Sequence, residues 1–221
     1  MVPGDLAVDL PEEVDDRTGA CLGIAGITAH RTVFRDGPVA GQTVLVHGAL
    51  GAVGSIAAQL AARAGATVIS TVRRDRDLAQ LAGPAAVRAI ALDSADPVRA
   101  IRDHAGGGVD RIIEVAFADN IDLDAAVAKN NAVIAAYATR ADRPDFPFWP
   151  MLFANITVRL LGSDDFPAEA KREAAAELTA AAQEGALTIS IADPFPLAMA
   201  AQAHERVDTD NRHRTLLAIP G

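Results

Sequence analysis

The chain has few aromatic side chains, one cysteine and two lysines. Phe, Trp and Tyr make up 4% of 221 residues, while apolar residues make up 50%. A core built from this composition must be aliphatic, and the length suffices for one well-packed domain with appendages. The lone Cys21 excludes an intrachain disulfide. It also excludes a cysteine-rich zinc site, which needs several thiolates at close spacing. His30, His47, His104, His204 and His213 include no i, i+4 pair, so no metal site is expected. No apolar run reaches the roughly 18 residues of a membrane span. Met1 to Asp9 carry acids rather than a basic leader, so a soluble, cytoplasmic protein without membrane partners is expected. The formal net charge is −9, with no basic arm, which argues against nucleic-acid binding through phosphate neutralisation. An anionic small molecule stays open, because a local Arg pair overrides the global field at short range. Asn155-Ile156-Thr157 matches a glycosylation acceptor but is read as chance without a secretory signal.

What is present is alternation. Compact β-rich runs at Thr43–His47, Thr67–Val72, Val87–Leu92, Val109–Val115, Ala132–Ala138 and Ile156–Leu161 are separated by helical patterns. The helices are expected near Val53–Ala64, Asp75–Leu81, Ser94–His104, Leu123–Ala128 and Ala168–Glu184, and a last strand at Leu187–Ala192. Continuous apolar strands alternating with helices imply a parallel sheet covered on both faces, hence an α/β, doubly wound (Rossmann) fold. Residues 35–192 carry this pattern. Residues 1–34, with a strand-like Leu6–Leu10 and a helix from Thr18 to Phe34, read as a connecting segment. Residues 193–221, with a helix to about Val207 and a strand-like Thr215–Ile219, read as a return segment.

The most informative stretch runs from Thr43 to Leu60. A buried strand enters Gly48-Ala49-Leu50-Gly51-Ala52-Val53-Gly54, which opens into an amphipathic helix. Small residues at this place let a backbone approach a pyrophosphate and let the helix pack close to the strand. The helix N-terminus then offers unpaired N–H groups. A tight βα turn without a ligand is the competing reading. The end of the next strand separates the two dinucleotides. NAD sites place an acid there, while NADP sites place cations or hydroxyls. The sequence offers Ser70-Thr71-Val72-Arg73-Arg74, which favours NADP(H), with Arg73 and Arg74 as 2′-phosphate partners. Asp75 is expected to be a helix N-cap. Both arginines are otherwise solvated residues at a helix start.

These residues resemble the zinc-independent (zeta-crystallin-like) quinone reductases of the medium-chain dehydrogenase/reductase superfamily. The resemblance rests on GACLGIAGITAHRTVF, HGALGAVGSIAAQLA, GGVDRIIEVAF, NAVIAAYAT and HERVDTDNRHRTLLAI, and covers nearly the whole chain. It implies a cofactor domain beside a catalytic barrel, most of which is expected to be missing here, and a homodimer that pairs its sixth strand. It also implies cofactor contacts from Ala49, Gly51, Ala52, Val53 and Gly54. Val115-Ala116-Phe117, Ala136-Tyr137-Ala138 and Thr28 fall at the nicotinamide end. Val115 and Ala136 equally serve as plain strand core.

Phe146, Phe148, Trp149 and Phe153 gather four of nine aromatics in eight residues. They could form a lid for a quinone or enone ring, or fill a core gap or interface. The expected activity is NADPH-dependent reduction of a small quinone or enone, and no residue stands out as its acid, base or nucleophile. An enoyl reductase domain of a polyketide synthase and a non-catalytic NADP(H)-binding module are the alternatives.

Overall fold

The computed structural model describes residues 7–209 and 212–219. Six strands form one parallel sheet: β1 (Thr43–Val46), β2 (Thr67–Val72), β3 (Ala89–Ala91), β4 (Val109–Glu114), β5 (Ala128–Ala136) and β6 (Thr157–Leu160). Their spatial order is β3-β2-β1-β4-β5-β6. This is the doubly wound Rossmann order, which reverses between β1 and β4 and opens a crevice at the carboxyl ends of those two strands.

Alternation along the strands divides the core. Val44, Val46, Val68, Ile113 and Ala135 face one side, Leu45, Ile69, Ile112 and Ile134 the other. The first side is covered by α2 (Ile24–Phe34), α3 (Ala52–Arg63) and α8 (Ala168–Gln183). The second is covered by α5 (Pro97–Ala105), α6 (Phe117–Val127) and α7 (Phe148–Phe153). Each fully buried Leu or Ile contributes about 1.5–3 kcal/mol, so aliphatic layers replace the missing aromatics. Pro97 stands at the first position of α5, behind an Asp96 cap whose carboxylate accepts from Arg99 N at 2.9 Å. Buried Arg111 donates to the carbonyls of Val33, Asp36 and Gly37, tying the end of α2 to β4.

Several expectations need correction. The helix expected from Thr18 to Phe34 is two helices, α1 (Asp16–Cys21) and α2, separated at Leu22-Gly23. The strand expected from Val87 begins as one helical turn, α4 (Pro84–Val87), started by Pro84. Helix α6 starts six residues before the expected Leu123. Asp75 is the first residue of a 3-10 helix, Asp75–Gln80, whose N-cap is Arg74. Leu187–Ala192 joins no strand ladder and makes an isolated bridge, Ile191 with Arg214. Of the strand-like Leu6–Leu10, Leu6 lies outside the described residues and the remainder is irregular. Near the other end, β7 (Phe195–Pro196) pairs with β8 (Leu217–Ala218) across α9 (Ala200–Asp208).

Candidate functional site

The loop Gly48–Gly54 leaves β1 and enters α3 at the point where strand order reverses. Gly48 has φ +63°, a conformation L side chains rarely adopt. A Cβ on Gly54 would stand 2.4 Å from the Gly48 carbonyl oxygen and 3.1 Å from that of His47. The helix therefore starts against the strand's own backbone, and only glycine fits there. Gly51 is exposed and is the N-cap of α3, without a side-chain capping bond. Ala49 N donates to Thr71 O at 3.1 Å and His47 N to Ile113 O at 3.0 Å, so both neighbouring strands hold the loop.

Arg73 and Arg74 follow β2 and are exposed. Ser70, on β2, is fully buried, and its Oγ has no hydrogen-bond partner. Val115 lies beside the loop, close enough that a Cβ on Gly48 would meet its Cγ1 at 2.9 Å. Ala116 N donates to the Glu114 carboxylate, Phe117 N to Ala138 O and Tyr137 N to Glu114 O. The ends of β4 and β5 are thus stitched together beside the loop. Burial, then the nearby Glu114, raises the Tyr137 phenol above its ordinary range, which keeps it protonated. Thr28 is buried on α2, and its hydroxyl donates to Ile24 O at 2.7 Å.

A cavity of about 1200 Å³ opens beside Ala49–Ala52. Its far wall is Arg212, His213 and Arg214, residues that sequence reasoning passed over. Arg212 pairs with the buried Asp77 at 3.4 Å, and His213 Nδ1 lies 2.6 Å from Ser190 Oγ. Two arginines around one histidine in an acidic chain were the available signal. Arg73, Arg74 and the ends of β4 and β5 do not line this cavity. Neither do Phe146, Phe148 and Trp149, which are exposed beside β6. Trp149 instead meets Phe148 edge-on at 5.3 Å and stacks on Phe153 at 6.0 Å.

Sequence reasoning also missed a sealed polar cluster directly below the loop. His47 Nδ1 lies 2.8 Å from Thr71 Oγ1, and its Nε2 lies 2.9 Å from Asp124 Oδ1 and 3.6 Å from Glu114 Oε2. His47, Glu114 and Asp124 are all fully buried. The signal was Glu114 itself, a charge at the end of the apolar run Ile112-Ile113.

The chain matches the family described as zinc-binding dehydrogenase over residues 52–180. Quinone oxidoreductase of Rattus norvegicus is 32% identical over 202 residues, 90% of this chain and 60% of the relative. Erythronolide synthase EryA2 of Saccharopolyspora erythraea is 33% identical over 141 residues, 58% of this chain and 4% of that protein. A mycobacterial structure complexed with NADPH superposes with a TM-score of 0.85 at 25% identity, covering 99% of this chain and 70% of that one. The fold, with its glycine loop at the switch point, defines a Rossmann-type α/β domain. The chain belongs to the zinc-binding dehydrogenase family, within the medium-chain dehydrogenase/reductases, and spans about 60% of the length of the curated quinone oxidoreductases it matches.

The family description raises zinc. Among the described residues one three-ligand group has its atoms within 4.8 Å of one another: His47, Glu114 and Asp124. A catalytic zinc needs an open coordination position. Both ring nitrogens of His47 already have partners, and all three residues are sealed from solvent. The group does not fit a catalytic zinc. Among the described residues no helix is long and apolar enough to cross a membrane.

Proposed function

We propose that this chain is the NADP(H)-binding part of a zinc-independent oxidoreductase that reduces a quinone or enone. The observation that carries the reading is the loop Gly48–Gly54, packed backbone to backbone at the sheet's switch point, with two arginines at the end of the next strand. In this reading Ala49, Gly51, Ala52, Val53 and Gly54 bring N–H groups to the pyrophosphate. Arg73 and Arg74 select the 2′-phosphate by charge-assisted hydrogen bonds, and Ser70, fully buried on β2, supports the strand end that carries them. Val115, Ala116, Phe117, Ala136, Tyr137 and Ala138 orient the nicotinamide end, and Thr28 shapes it from α2. When bound, NADPH supplies the hydride. Phe146, Phe148 and Trp149 are assigned to the substrate side, and no residue is assigned as catalyst. The mycobacterial NADPH complex supports the choice of cofactor.

Residues 35–192 constitute the cofactor domain, flanked by the connecting segment 1–34 and the return segment 193–221. The protein is assigned to the cytoplasm. Two copies pair along β6, an edge strand whose neighbourhood exposes Trp149 at 65%, Phe153 at 73% and Leu160 at 74%. An enoyl reductase domain of a polyketide synthase is the second reading, to which the match to erythronolide synthase EryA2 lends support. The test is NADPH consumption by this chain with a quinone, then with an enoyl thioester. Oxidation with the quinone supports the first reading, and oxidation with the thioester alone supports the second. Cofactor binding without turnover of either would mark a non-catalytic binding module.

A further inference from the structure

The sealed cluster under the phosphate loop joins four elements that frame the crevice. His47 continues β1, Thr71 belongs to β2, Glu114 ends β4, and Asp124 lies on α6. Glu114 is faced by His47 from β1, by Asp124 and Asn120 from α6, and by Tyr137 just after β5. Its carboxylate accepts from Ala116 N and from Asn120 Nδ2, the latter at 3.0 and 3.2 Å. Asp124 Oδ2 is buried and has no hydrogen-bond partner. Two carboxylates therefore share one imidazole in a place without water-facing surface.

The charge balance is tight. An imidazolium–carboxylate pair of His47 and Asp124 is neutral overall, and Glu114 then decides the sign. As an acid it leaves the cluster neutral. Ionised, it places one negative charge in the core, directly behind the loop that begins at Gly48. Burial, with Asp124 reinforcing and His47 opposing, pushes Glu114 up to about 7. A dinucleotide phosphate at Gly51 adds negative charge a few residues further on, so it favours the protonated cluster. By linkage, binding then draws a proton in.

We propose that His47, Asp124 and Glu114 are positioning residues that anchor the phosphate loop and take up a proton when an anionic dinucleotide occupies it. This rests on the dinucleotide-binding reading above. The backbone bonds of His47 to Ile113 and of Ala49 to Thr71 make the cluster and the loop one mechanical unit.

The test is calorimetric titration of the whole chain with NADPH across neutral pH, in two buffers of different protonation enthalpy. The 2′-phosphate itself titrates near 6, so the quantity read is the difference between wild type and Glu114→Gln. Wild type should take up more protons than the variant. Its affinity should fall about fivefold more between about pH 6 and about pH 8. Equal proton uptake and parallel pH profiles would overturn the proposal. Should Glu114→Gln fail to fold, difference infrared spectroscopy of wild type replaces it. A protonated-carboxyl band gained on adding NADPH supports the cluster's role, and its absence overturns it. Absence of binding at every pH would instead overturn the dinucleotide reading, and this inference with it.

Discussion

Two strands of the same sheet, the central β1 and the edge strand β6, are finished in opposite ways. At β1 the chain narrows to glycines and alanines, with backbone against backbone and a hydrogen-bonded cluster beneath. At β6 it leaves Phe148, Trp149, Phe153 and Leu160 uncovered. The first region is closed internally and leaves the first turn of α3 without a side-chain cap. The second is closed on its inner side only and leaves apolar side chains exposed. The contrast teaches that the proposed site and the proposed interface use separate parts of the sheet. Changes at the loop should act on folding and cofactor, and changes at the edge on association.

The largest effect should come from Gly54→Ala. Its Cβ would meet the Gly48 carbonyl at 2.4 Å, and backbone cannot rotate away as a side chain can. Denaturant unfolding should show a loss of about 3 kcal/mol. A loss below about 0.5 kcal/mol, the range of ordinary surface substitutions, would mean the helix does not start against the strand as described.

The pH dependence of stability comes next. Glu114 sits at about 7 in the folded chain against an ordinary 4.5. The native state holds a proton that the unfolded chain releases, so this contribution is complete below about 4.5 and declines as pH rises to about 7. The decline should be roughly 1–3 kcal/mol. His47 adds in the same direction. Burial disfavours its imidazolium, but Asp124 outweighs burial and holds its pKa above the ordinary value, so that stabilisation is also lost as pH rises. Unfolding curves of Glu114→Gln should be much flatter over this window, and an unchanged slope would contradict the assignment.

Replacing Arg73 and Arg74 together by Ala should weaken NADPH about tenfold, or about 1.4 kcal/mol, and leave NADH nearly unchanged. Equal losses for both would remove the 2′-phosphate role. The smallest effect on stability should come from Leu160→Glu, within about 0.5 kcal/mol for an exposed site. The same change should convert a dimer to monomers in sedimentation. An unaltered sedimentation profile would contradict the proposed pairing along β6.

What was legible in the sequence follows the same division. Strand β2 matches its expected bounds because Thr67–Val72 is a continuous β-rich run between Gly65 and an arginine pair. The loop was legible because its chemistry depends on residues adjacent in sequence. Helix α6 was half hidden. Asn120 and Asp124 point into the polar cluster, which breaks the apolar periodicity that marks a helix. The cluster was not legible at all, since His47 and Asp124 lie 77 positions apart and meet only when β1 and α6 pack. Leu187–Ala192 has a strand's composition, yet its backbone meets the Gln59 side chain on α3 and the Arg214 segment, away from the six-stranded sheet. The wall formed by Arg212 and His213 depends on that same meeting.

The central claim is that the loop and the arginine pair together form an NADP(H) site. Calorimetric titration of the chain with NADPH and then NADH tests it most directly. The account predicts NADPH binding tighter by about tenfold or more. Equal affinities would contradict the arginine assignment, and no binding of either would contradict the site itself.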